Sequence, residues 1–278
     1  MVKLFLSCLL LISFAFADEP KEDELVTQKI QTFIEPNVYE ENKAYIDIVF
    51  SPKSEYFMGE RVDSVKVIQT LKENGLLDLF FKKPSELVLN FKTSGPPLFF
   101  VKIMGDTLRN IGYYRYVTKE SNLSSSEFTW TISLTSEYAT DPLILQKELQ
   151  KSGCSIMDVQ RNSATNWTYT VDMRSGNLNL QTLEDGAEVK LKRSLYAHWL
   201  DVSKIKRLKI SSSRRNDWYP YIAYYDASLH LLKVIKQDSK KRRVVLSIPR
   251  GTKYIKISDL YTLKNIKEGL RLNPIGSR

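Results

Sequence analysis

Between residues 43 and 176 the apolar positions alternate between two rhythms, one with the period of strands and one with the period of helices. Ala44-Tyr45-Ile46-Asp47-Ile48-Val49-Phe50 is dense in β-branched and aromatic side chains and stops at Ser51-Pro52, which predicts a strand. Asp63 then stands at a helix N-cap, Val65, Ile68 and Leu71 share one helical face, and Gly75 takes the C′ position. Two strands, 76–81 and 86–91, are expected around a Lys82-Lys83-Pro84-Ser85 turn. Pro96-Pro97 opens a second helix with Phe100, Ile103, Met104, Leu108 and Ile111 on its stripe, and Gly112 stops it. Strands follow at 113–117 and 128–134. A third helix is capped by Thr140 or Asp141, carries Pro142 at its first position, buries Leu145 and Leu149, and ends at Gly153. Segments 154–159 and 167–171 complete the series as a strand pair.

The order strand, helix, strand, strand thus occurs twice, and short sequences recur with it. Thr70-Leu71-Lys72-Glu73-Asn74-Gly75, Thr107-Leu108-Arg109-Asn110-Ile111-Gly112 and Glu148-Leu149-Gln150-Lys151-Ser152-Gly153 end the three helices alike. Ser54-Glu55-Tyr56 and Ser136-Glu137-Tyr138 both fall between a strand and a helix. This reads as a duplication, with a first α/β unit and its linking helix at 43–119 and a second unit at 126–175. After Gly176 no helical period is sustained. Short strands at 188–192, 207–211, 219–225, 230–236, 243–248 and 254–257 predict a basic β-sandwich over 187–275. The expected fold class is therefore α+β: two strand-helix-strand-strand (SHS2/ferredoxin-like) units followed by an all-β sandwich. Residues 18–42 read as a flexible acidic leader with a short helix around 24–34, broken by Pro36.

The first residues add a compartment. Met1-Val2-Lys3 is followed by an almost unbroken apolar run to Phe14 and by Ala15-Phe16-Ala17, with acidic Asp18-Glu19 beyond. That is the pattern of a signal peptide over 1–17, cleaved between Ala17 and Asp18. The run is shorter than the roughly 20 residues a membrane-spanning helix needs. Export to the periplasm, with an outer-membrane association, is the expectation.

Charge divides the chain. From Ala187 onward there are 22 basic against seven acidic side chains, a balance of +15, whereas 18–186 carries 18 against 25, a balance of −7. The two ends are suited to different partners, or to each other in neighbouring copies. Catalytic chemistry, by contrast, has no visible basis. Of two cysteines Cys8 lies in the signal, which leaves Cys154 without an internal disulfide partner and suited to burial. The only histidines, His198 and His230, have no metal-ligand or triad spacing around them, and no phosphate-loop pattern occurs. Glu55 and Glu137 read as solvated loop carboxylates. No catalytic residue, metal or cofactor is expected, and the chain reads as non-enzymatic.

Binding is better represented. Trp218, Tyr219 and Tyr221, with Tyr224 and Tyr225 close by, stand beside Arg214 and Arg215, and Trp199 follows His198. Flat rings with charged donors suit glycan or partner contact, while the same alternation equally suits a sandwich core. Lys240, Lys241, Arg242 and Arg243 form a basic patch, and 207–215 is a second basic run. In an exported protein these point away from nucleic acid and toward lipopolysaccharide phosphates, acidic wall polymer, the acidic half of a second copy in a homo-oligomer, or plain solvent. Glu120-Ser121-Asn122-Leu123-Ser124 has the extended acidic form of the bacterial N-glycosylation sequon, so Asn122 is a glycosylation candidate in a polar loop.

Two resemblances follow. The segment Tyr221-Ile222-Ala223-Tyr224-Tyr225-Asp226-Ala227-Ser228-Leu229-His230-Leu231-Leu232, with Ile248-Pro249-Arg250-Gly251-Thr252-Lys253-Tyr254-Ile255-Lys256-Ile257, resembles galactose-binding-like jelly-roll modules over the last third of the chain. The strand-helix-strand-strand units resemble the SHS2-like fold found in the basal-disk protein of ε-proteobacterial flagellar motors, and the whole is similar in architecture to an accessory protein of that disk (FlgQ type). The resemblance implies a structural protein of the cell envelope, partnered by flagellar disk components and needed for motility. A glycan- or cell-wall-binding envelope protein is the alternative.

Overall fold

Helices and strands both contribute, and the chain divides after Asp78. The computed structural model describes residues 22–277; the signal segment, with Ala17 and Asp18, lies outside them.

The first unit is helical. Helix α1 (Glu22–Gln31) and helix α2 (Pro36–Val49) are followed by a 3-10 turn (Lys53–Tyr56), a small hairpin of β1 (Phe57–Met58) and β2 (Arg61–Val62), and helix α3 (Ser64–Glu73). The expected leader is therefore structured where it is described. Val26, Ile30 and Phe33 recur at helical spacing and are fully buried, an apolar stripe hidden in an acidic composition. The strand expected at 44–50 is instead the end of α2. Its β-branched density is real, but Tyr39, Ile46 and Phe50 fall on one helical face and are buried, while Ile48 is 72% exposed. Pro36 starts this helix at its first turn rather than breaking one. Asp63 caps α3 as expected, its Oδ1 accepting the Val65 and Lys66 amides at 3.0 and 3.1 Å.

The second unit begins with one long strand, β3 (Phe80–Thr93), where two strands and a turn are expected. Lys82-Lys83-Pro84 is taken up as an irregularity in pairing, Phe80 standing opposite Tyr138 and Ser85 opposite Ser136. Proline is tolerated there because it interrupts no regular ladder bond. Helix α4 (Pro97–Asn110), strands β4 (Val117–Leu123) and β5 (Phe128–Tyr138), helix α5 (Pro142–Gln150) and strands β6 (Ser155–Ser163) and β7 (Asn166–Asp172) follow. The segment 113–116, expected as strand, is extended chain leading into β4. All five strands lie in one sheet, ordered β4-β5-β3-β7-β6, with β3 and β7 parallel. The strands assigned to two repeats thus share a single sheet. Ser54-Glu55-Tyr56 sits in the 3-10 turn and Ser136-Glu137-Tyr138 within β5, so these tripeptides are not equivalent. Leu87, Leu89 and Phe91 on one face of β3 are fully buried, and Phe100 of α4 meets Phe128 edge-on at 6.1 Å.

Cys154, just before β6, is buried, and burial pushes its thiol up to about 11. Alkylation by iodoacetamide at mildly alkaline pH should leave this thiol intact in the native protein and complete only in denaturant, read by intact mass. Rapid native modification would place Cys154 on an opening segment.

Beyond 187 the expectation of short strands holds. One antiparallel sheet is ordered β13 (Arg243–Ser247), β10 (Ile205–Ser212), β15 (Leu270–Ser277), β8 (Val189–Leu191). The other is ordered β12 (Leu231–Lys236), β11 (Pro220–Tyr225), β14 (Tyr254–Asp259), β9 (His198–Asp201). Strands β9 and β15 are additions to the expected set: β9 is only four residues, and Pro274 and Gly276 disguise β15. Leu208, Ile210 and Leu272 from the first sheet share one apolar cluster with Ile222, Tyr224, Ile255 and Ile257 from the second. By strand alternation, Arg207 and Lys209 then face outward on the first sheet, and Trp199, Tyr225 and Lys256 outward on the second.

Candidate binding groove

Helix α4 turns Lys102, Asp106 and Arg109 to one side, because residues three and four apart are neighbours on a helix. Asp106 holds both cations: the Lys102 ammonium donates to Oδ2, and Arg109 Nη1 donates to Oδ1 at 3.0 Å. Each cation also lies over a ring from the β-rich part of the unit. Lys102 Nζ is 5.3 Å from the centre of the Trp199 ring, and the Arg109 guanidinium carbon is 4.4 Å from that of Tyr196. Lys256, opposite Trp199 in the pairing of β14 with β9, brings a second ammonium to 5.7 Å from the same indole. Trp199 also meets Tyr225 at 5.0 Å, with the ring planes 35° apart. These cation–π contacts tie α4 to the outer face of the second sheet.

A hollow of about 540 Å³ remains between them, lined by Leu98, Lys102, Tyr116, Trp199, Tyr225, Leu229 and Lys256 among others. It adjoins a second hollow of about 780 Å³, where 113–117 and 133–135 form the walls; Arg109, Tyr116 and Tyr196 line both. Gly105 of α4 lines both as well. A Cβ there would sit 3.5 Å from Tyr116 Oη, an ordinary contact, so packing does not demand glycine. Glycine inside a helix costs about 1 kcal/mol relative to alanine. Its effect here is an open floor. Leu229 reaches the groove from a turn in which its own φ is 62°, a strained value for a branched side chain. Asp226 braces that turn, accepting the Ser228 and His230 amides at 2.8 Å each and His230 Nδ1 at 2.9 Å. Burial acts to raise the Asp226 carboxyl, but these hydrogen bonds outweigh it and hold the group below its ordinary range.

The groove is cationic. Lys102, Arg109, Arg115 and Lys256 line it against Asp106 and Glu86, a formal balance of +2. The Lys119 ammonium, 3.0 Å away, holds the Glu86 carboxyl below its usual range and ionised. Burial raises the Tyr116 phenol, against the pull of Arg109, so this hydroxyl stays protonated and available to donate. Among the described residues no group of three or more His, Cys, Asp or Glu side chains is placed to hold a metal ion. Comparison of the chain with family models, curated proteins and solved structures finds no match.

The residues singled out from sequence are scattered. Trp218 is fully buried in the apolar cluster, its Nε1 donating to the Ser258 carbonyl at 3.0 Å, so it offers no platform to a ligand. Tyr219 is half-buried and edge-on to Tyr261 at 5.0 Å, and Tyr221 lies under Lys236 at 5.7 Å; neither lines the groove. Arg214 and Arg215 are exposed on the loop after β10, Arg215 lying 3.6 Å from Glu268. Lys240 pairs with Asp217 at 2.8 Å; Lys241 and Arg242 follow it in the loop after β12, and Arg243 opens β13. Asn122 is exposed as a glycan acceptor must be, but on edge strand β4, opposite Thr129, rather than in a loop. His198 lies on the inward side of β9, where burial lowers its pKa and keeps it neutral. Tyr196, Tyr116, Arg109 and Gly105 are the lining residues that sequence reasoning passed over. The Tyr113-Tyr114-Arg115-Tyr116 run carried the available signal, an aromatic cluster around a cation taken for a strand.

Proposed function

We propose that the protein is a non-enzymatic binder of the cell envelope whose groove holds an acidic saccharide segment. The observation that carries this is Trp199, a partly exposed indole flanked by the ammonium groups of Lys102 and Lys256 beside an open, glycine-floored hollow. Ring faces stack on sugar C–H surfaces, the cations meet carboxylate or phosphate substituents, and tyrosine hydroxyls serve the remaining polar groups. The sandwich assignment and the galactose-binding-like resemblance accord with this reading.

Intrinsic fluorescence tests it directly. Trp130, Trp167 and Trp218 are at most 4% exposed, so a ligand entering the groove acts chiefly on Trp199. Titration with a tetrasaccharide alternating amino sugars and uronic acids should change the emission saturably, and Trp199→Phe should remove the response. Gly105→Gln, which puts a side chain on the groove floor, should weaken binding at least tenfold with little change in melting temperature. A neutral tetrasaccharide binding equally well, or a full response from Trp199→Phe, would overturn the reading.

A second reading, an assembly protein of a flagellar disk, is favoured by one feature. All seven residues of edge strand β4 are exposed, leaving one side of the five-stranded sheet open to another chain. Deletion should then abolish swimming, and the protein should recover disk components from envelope extract. Normal swimming would exclude it.

A further inference from the structure

The sheet β13-β10-β15-β8 presents a basic face to solvent. Its outward positions are fixed by the inward ones: Leu208 and Ile210, Leu246, Leu270 and Leu272, and Leu191 all point into the core. Alternation therefore sends Arg243 on β13, Arg207 and Lys209 on β10, Arg271 on β15 and Lys190 on β8 to the same outer side. Register sets them out in two dimensions. Arg243, Ser211, Arg271 and Lys190 form one row across the four strands, and Lys209 and Arg207 continue the array along β10. With strands about 4.8 Å apart and alternate residues about 6.8 Å apart, the cations cover a patch about 14 Å wide.

No strand of the sheet contributes a carboxylate to this face. Glu188, just before β8, approaches Arg271 at 3.4 Å; Lys190, Arg207, Lys209 and Arg243 have no ion-pair partner among the described residues. Arg214, Lys241 and Arg242, on loops at the end of this sheet, extend the positive field. The imbalance is confined to this part of the chain. Residues 22–78 carry six basic and 12 acidic side chains, 79–186 carry 11 of each, and 187–278 carry 22 against seven.

We infer that this sheet face is a docking surface for a bilayer leaflet rich in anionic phosphate headgroups. The geometry selects that partner over a single linear polyanion. A linear chain is matched by a row or a groove of cations, whereas these are spread over four strands, as a surface of laterally mobile phosphates requires. Exposed Val245, between the cations, adds an apolar contact at headgroup depth. The surface is separate from the groove, so the failure of either leaves the other standing.

The test is sedimentation of the full mature chain with vesicles of phosphatidylglycerol and phosphatidylcholine, against pure phosphatidylcholine. Binding is expected only to the anionic vesicles and should be lost as salt is raised. Each cation near such a surface contributes roughly a fivefold gain in partitioning, so Arg207→Gln combined with Lys209→Gln should weaken binding on the order of 25-fold. Arg207 is exposed and Lys209 half-buried on the outer face, where glutamine keeps much of the aliphatic stem, so the melting temperature should move little. Lys82→Gln combined with Lys83→Gln, the same charge change on exposed residues of β3, should cost far less. Equal losses from the two double variants would reduce the effect to net charge and overturn the proposal. So would binding to soluble polyphosphate but not to vesicles, or salt-sensitive self-association through the acidic first unit without vesicle binding.

Discussion

Trp218→Ala should destabilise the second unit by about 3–5 kcal/mol, the cost of emptying a buried aromatic site. Its side chain is fully enclosed among residues of both β-sheets, and its Nε1–H satisfies the Ser258 carbonyl at 3.0 Å. Truncation removes the apolar contacts, leaves a cavity, and strands a carbonyl away from its donor. Trp199→Ala is the informative contrast. That indole is only partly covered, and its ties to Lys102 and Lys256 are worth about 1 kcal/mol in total. Urea unfolding followed by far-ultraviolet circular dichroism should show a large fall in midpoint for Trp218→Ala and a small one for Trp199→Ala. The groove should respond in the opposite order: saccharide binding lost in Trp199→Ala and kept by whatever fraction of Trp218→Ala remains folded. Comparable losses of stability in the two variants would mean that Trp199 is a core residue and the groove a packing gap.

That contrast also marks what the sequence could reveal. Both tryptophans sit in alternating aromatic stretches, and alternation assigns residues to two faces without saying which is buried. The decision depends on what covers each face. Helix α4 lies more than 80 residues upstream of the second sheet, and nothing local to Trp199 shows that Lys102 and Arg109 arrive there. Helix ends were legible because their chemistry is local: Asp63 and Asp141 cap as expected, and Gly75, Gly112 and Gly153 all have positive φ. The strand expected at 44–50 failed because β propensity is a weak prior, and burial of Tyr39, Ile46 and Phe50 along one face rewards the helical stripe instead. The expected strand-helix-strand-strand order is missing from the first unit for the same reason, its leading strand being the end of α2, and recurring helix stops say nothing about which sheet a strand joins. Charge asymmetry was legible as a total; its concentration on one sheet face appeared only once strand register assigned each cation a side.

Gly269→Ala should be the most damaging small substitution in the second unit, with an expected cost of about 4 kcal/mol. Gly269 has φ +72°, and a Cβ on it would lie 1.9 Å from the Leu191 carbonyl oxygen and 3.0 Å from its carbon. No rotamer relieves a clash between Cβ and backbone, so either the turn or strand β8 must move. The turn is held from the other side: Asn216 Nδ2 donates to the Gly269 carbonyl at 2.7 Å, and the Glu268 amide donates to Asn216 Oδ1 at 2.8 Å. Strand β8 pairs with β15 over only three residues and is the part that yields. Gly251→Ala is the matched control, with φ +82° and nothing within 4 Å of the added carbon, so it reports the backbone cost alone, about 1–2 kcal/mol. Denaturant midpoints for the two variants should differ by the clash energy. Since Lys190 rides on β8, Gly269→Ala should also weaken binding to anionic vesicles under conditions where the protein remains folded, while saccharide binding in the groove is retained. Equal midpoints for Gly269→Ala and Gly251→Ala would show that β8 detaches without cost, and Lys190 would then drop out of the basic face.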